Sequence, residues 1–80
     1  MQAYTPIDCS FYDELEALAT RRRTCAIAYE DDQGSEQTIE ARIQDLRAEQ
    51  GIEYLLTDSG LKLRLDRLRS VDGKVPRPFC

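Results

Sequence analysis

From Cys25 onward, apolar residues fall on every second position in a series of short runs, and this period of two restricts the fold more than any other feature of the chain. Cys25, Ile27 and Tyr29 alternate with Ala26 and Ala28, and Asp31-Asp32-Gln33-Gly34 then supplies turn residues, which predicts a first strand and a hairpin. Gln37, Ile39, Ala41 and Ile43 form one side of a second strand and Thr38, Glu40 and Arg42 the other, so one face is apolar and one is wet. Leu46 is expected to lead into a short loop running through Gly51. Ile52 to Thr57 is a third strand dense in β-formers, and Asp58-Ser59-Gly60 is a tight turn. Leu61, Leu63 and Leu65 alternate with Lys62, Arg64 and Asp66 in a fourth strand, and a fifth begins near Leu68 and includes Val71.

Ahead of these runs the period is helical. Ser10 reads as the N-cap of a helix from about Phe11 to Arg22: its hydroxyl accepts from the amide of Asp13, and Asp13, Glu14 and Glu16 sit near the positive end of the dipole. Arg21, Arg22 and Arg23 suit the negative end. Phe11, Leu15, Leu18 and Ala19 recur at the spacing of a buried stripe, so the acids project elsewhere. None of the strands buries its apolar face alone. The fold class expected is therefore mainly β, an Sm-like small antiparallel barrel of about five strands preceded by an N-terminal α-helix, with OB-type and SH3-like barrels as neighbours of similar strand pattern.

Eighty residues, 41% apolar and 32% charged, suit one ordered domain over 1–80. Its core is expected over about residues 4–72, and the tail 73–80 is looser because Pro76 and Pro78 cannot donate to a ladder. No apolar run approaches the roughly 18 residues of a membrane span. The opening Met1 to Pro6 lacks the basic and apolar stretches of an export signal, so a cytoplasmic location is expected. Cys9, Cys25 and Cys80 lack the close pairing of a metal knuckle and no histidine completes one, so reduced thiols with no metal and no cofactor are expected. A nucleophilic Cys9 would need a base and an oxyanion donor, and no histidine is available to serve, which argues against an enzyme.

Charge is unevenly spread: residues 1–40 hold nine acids against three arginines, residues 41–80 six acids against eight bases. The acidic half repels phosphate backbones and is drawn to basic clefts, so direct binding of nucleic acid through it is not expected.

The run Tyr4-Thr5-Pro6-Ile7-Asp8-Cys9, followed by Tyr12-Asp13 and Leu15-Glu16, resembles the opening signature of the Rho-binding antiterminator family known as Rof. Asp45-Leu46, Ile52-Glu53-Tyr54-Leu55 and Leu63-Arg64-Leu65-Asp66 resemble the family's later blocks in order and spacing, so the likeness spans Tyr4 to Val71. It implies an Sm-like barrel with an N-terminal helix that inhibits the transcription termination factor Rho by binding its N-terminal RNA-loading domain and keeping transcript RNA away. It implies that Tyr12, Asp13 and Glu16 touch the basic site, with Asp8 and Glu14 in support, and that the free chain is a monomer. The chain departs from the family pattern at Ser10-Phe11, where relatives carry acids, and at Arg47-Ala48-Glu49-Gln50-Gly51, where they carry a basic or amide-rich loop.

Plainer readings stand beside these. Asp13, Glu14 and Glu16 also serve as solvated partners of the helix dipole. Glu30-Asp31-Asp32 reads as a solvated hairpin tip without the spaced oxygen ligands of a calcium loop. Tyr4 and Tyr12 suit either core packing or an interface anchor. Lys62, Arg64, Arg67 and Arg69 make a basic ridge, and the rival function is an Sm or Hfq-like RNA-binding module that uses it.

Overall fold

A computed structural model describes residues 9–76, so Tyr4 and Asp8 lie outside the described residues, as does the end of the tail. Its element order is α1 (Cys9–Arg21), β1 (Thr24–Glu30), β2 (Glu36–Glu49), β3 (Ile52–Thr57), β4 (Lys62–Arg64), a 3-10 turn (Leu65–Arg67) and β5 (Leu68–Val71). The strands form one antiparallel sheet in the order β4-β3-β2-β1-β5. The protein is therefore mainly β, a helix followed by five antiparallel strands, and no ladder joins β4 to β5 among the described residues.

The helix corrects the expected cap. Ser10 lies inside α1, and the first turn holds no acid. Because the helix already includes Cys9, the Ser10 backbone is helical and does not take the extended conformation of a cap; Phe11 buries with Leu15 and Leu18. The helix ends where Arg22 turns left-handed (φ 54), its amide donating to the carbonyls of Leu18 (3.1 Å) and Ala19 (3.3 Å).

Strand β2 is longer than the alternation predicts. Its first half pairs with β1, from Glu30↔Glu36 to Thr24↔Arg42; its second half pairs with β3, from Ile43↔Thr57 to Glu49↔Ile52. The register shifts between Ile43 and Asp45, which leaves Gln44 in a bulge. Beyond it Arg47, Ala48 and Glu49 are strand rather than loop: their exposed side chains carry no apolar signal, yet their backbone pairs with Tyr54, Glu53 and Ile52. The loop contracts to Gln50-Gly51, both with positive φ, the geometry of a two-residue hairpin turn.

The fourth strand is shorter than expected. Leu65 belongs to the 3-10 turn, which carries the chain from β4 to β5 while keeping Leu65 fully buried. The core consists of Phe11, Leu15 and Leu18 from the helix packed on Cys25, Ile27, Ala41, Ile43, Leu55, Leu63, Leu65, Leu68 and Val71. Order also continues past Asp72: Lys74 bridges back to Val71 across an Asp72-Gly73 turn.

Candidate partner-binding surface

Helix α1 packs across β2, and the two elements enclose a shallow cleft of 270 Å³ lined by Tyr12, Glu16, Ala19 and Thr20 from the helix and by Gln44, Asp45 and Leu46 from the strand. Tyr12, Glu16 and Ala19 reach it together because they are spaced i, i+4, i+7 along one flank of the buried stripe. The strand contributes through its bulge, after which Asp45 pairs opposite Leu56.

Three carboxylates from three elements act on one phenol. Burial pushes the Tyr12 hydroxyl above its ordinary pKa of 10.0, and the charges of Glu53, Glu16 and Asp45 push it the same way, so the phenol remains an O–H donor at neutral pH. Asp45 is held below the usual carboxylate range: Arg47 Nε donates to its Oδ2 at 3.0 Å and the Leu46 amide to its Oδ1 at 2.9 Å. Glu16 is exposed, and its backbone carbonyl accepts from Thr20 Oγ1 at 2.9 Å. The surface is thus anionic around an amphipathic aromatic ring, suited to a desolvated cationic partner.

The residues expected at the site separate. Tyr12 and Glu16 share the cleft; Asp13 is exposed on the outer side of the helix, one turn before Glu16. Glu14 points away, since two residues along a helix rotate the side chain by roughly 160° from Tyr12, and it pairs with Lys74 Nζ at 3.6 Å. Asp8 lies outside the described residues. Sequence reasoning passed over Asp45 and Glu53 as site residues; both stood in blocks of the family likeness, but the bulge that brings Asp45 to the helix leaves no mark on the alternation.

The basic ridge is engaged within the chain. Lys62 pairs with Glu49 and lies 4.3 Å from the centre of the Tyr54 ring. Arg64 grips Asp66 through two bonds (Nε to Oδ1 3.0 Å, Nη2 to Oδ2 2.7 Å), with the two side chains only 14% and 11% exposed. Arg67 donates to the Asp31 carbonyl (3.3 Å) and to Asp32 Oδ1 (3.2 Å), and Arg69 pairs with Glu30. The hairpin tip is consequently structural: Asp31 also accepts from the amides of Gln33 and Ser35, both at 2.9 Å, and from Gln37 Nε2 at 3.0 Å. The Ser35 amide is the first cause of a pKa below the carboxylate norm.

The expectation of reduced thiols is corrected at Cys9, which is disulfide-bonded. Spacing along the chain says nothing of which sulfurs meet in space. Cys25 is free and buried, its thiol donating to the Arg23 carbonyl at 3.3 Å.

Compared with known proteins, the chain matches no protein-family model and no curated protein.

Proposed function

We propose that this chain is a Rof-like inhibitor of transcription termination factor Rho: it sets the Tyr12–Glu16 face of its helix on the basic RNA-loading site of Rho's N-terminal domain and so denies that site to transcript RNA. The observation that carries the reading is the cleft that brings Glu16 and Asp45 beside the half-buried Tyr12, with the charge of Glu53 acting on the same phenol. A single-strand RNA site combines cationic groups with stacking platforms. An anionic rim around a phenol answers both, and such an inhibitor works without catalysis. The N-terminal helix, the five antiparallel strands and the bend in β2 support the finer reading of an Sm-like small barrel. The ridge offers less to RNA, because Lys62, Arg64, Arg67 and Arg69 each already meet a carboxylate of the chain.

The test is competition. Labelled pyrimidine-rich RNA bound to Rho is titrated with the chain, and the chain alone is titrated with the same RNA. Displacement without direct RNA binding is the expected result; tight RNA binding by the isolated chain, lost when the ridge is neutralised, would transfer the function to the ridge. Glu16→Arg is expected to weaken competition by at least about tenfold and Asp13→Arg, on the rim, by less, both with unchanged circular dichroism.

A further inference from the structure

A second cleft, of 330 Å³, adjoins the acidic one. It is lined by Arg22, Arg42, Ile43 and Asp58 together with Ala19 and Gln44, and the last two also line the acidic cleft. We infer that the Arg22–Arg42 cleft is a second docking point of opposite sign, which takes a carboxylate that the protein partner carries beside its cationic pocket; this rests on the reading of the acidic face as a protein-binding surface.

The cations of the chain are unequally committed. Arg47, Lys62, Arg64, Arg67, Arg69 and Lys74 each pair with a carboxylate. Among the described residues, Arg21, Arg22, Arg23 and Arg42 pair with none, and all four are exposed. They gather at one place, because the helix ends beside the start of β1 and Thr24 stands opposite Arg42 in the ladder. Asp58 does not neutralise the cleft through an ion pair. Its Oδ1 accepts from the Arg42 amide at 3.1 Å, and its own amide donates to the Arg42 carbonyl at 3.0 Å, so the acid fixes the arginine's backbone and leaves the guanidinium uncommitted. The left-handed position that ends the helix, one that glycine ordinarily fills, is occupied by Arg22.

The order of signs selects the partner. A strand of nucleic acid is uniformly anionic, and one laid along this strip meets Asp58 in the basic cleft and Glu16 and Asp45 in the next. A protein surface with a cationic pocket and an adjacent carboxylate matches both clefts at once, and the paired contacts fix its orientation as a single charge does not. Arginine suits the role, since its planar fork binds carboxylate through two parallel bonds.

The test measures affinity of the labelled full chain for Rho by fluorescence anisotropy, for the wild type, the double variant R22E/R42E, the milder R22Q/R42Q, and Glu16→Arg, with circular dichroism and melting on each. Loss of about tenfold in R22E/R42E and a smaller loss in R22Q/R42Q, with folding unchanged, is the expected result. If Glu16→Arg abolishes binding while R22Q/R42Q and R22E/R42E bind as the wild type does, the inference falls and the acidic-face reading stands. If none of the variants matters, both fall. Binding of a pyrimidine-rich oligonucleotide to the chain alone, lost in R22Q/R42Q, would overturn the inference in favour of a nucleic-acid site.

Discussion

Two side chains with raised pKa values set how this fold responds to alkali. Burial, then the nearby Asp72, holds the Cys25 thiol above its ordinary 9.0, and burial, then Glu53, Glu16 and Asp45, holds the Tyr12 phenol above 10.0. In both cases the folded state keeps the proton more tightly than the unfolded state. The stability this contributes is fully present below pH 9.0 for Cys25 and below 10.0 for Tyr12, and it is lost as pH rises through the higher folded values. The urea midpoint is therefore expected to fall between neutral pH and alkaline solution, and Tyr12→Phe to remove part of that fall; a flat profile in the wild type contradicts the assignment. The sequence made Cys25, Phe11, Leu15 and Leu18 legible as core, because periodicity reports burial directly. It left Asp45 and Glu53 outside the site, since no local pattern tells which strand residue stands beside a helix.

At the scale of elements, β2 and its turns decide the shape. The strand runs unbroken past the bulge at Gln44 and turns at Gln50-Gly51, where a left-handed glutamine (φ 54) occupies a position that favours asparagine. Gln50→Asn is expected to stabilise the fold by about 0.5 kcal/mol. Gly51→Ala is expected to destabilise it by about 1–2 kcal/mol, because φ is +80 there although space is open. Urea denaturation of the two variants checks both signs. Leu15, fully buried at the helix–sheet contact, is expected to cost about 2–5 kcal/mol when cut to alanine, enough to unfold much of a chain this small at moderate temperature. The five strands and the helix were readable in outline. The long β2 was not, because Arg47, Ala48 and Glu49 join the ladder through their backbone without an apolar alternation, and the 3-10 turn was not, because Leu65 keeps the strand's alternation after the strand has ended.

Over the whole molecule the charges sort into used and unused. The C-terminal basic residues are spent on Glu49, Asp66, Asp32 and Glu30, which tie β4 to β2 and the β5 region to the first hairpin. Apart from the largely buried Arg64–Asp66 pair, these exposed pairs contribute little stability, but they reduce the free positive charge of that surface. The acidic cleft around Tyr12, in which Asp45 pairs with Arg47, lies beside the arginine cleft, and an association steered by such a face weakens as salt rises. The proposed contact with Rho is tested most directly by nuclear magnetic resonance of the isotope-labelled chain titrated with the N-terminal domain of Rho. Shifts and broadening are expected at Tyr12, Glu16 and Asp45, with the amides of Lys62, Arg64, Arg67 and Arg69 undisturbed. Perturbation confined to that C-terminal ridge, with the helix silent, would contradict it.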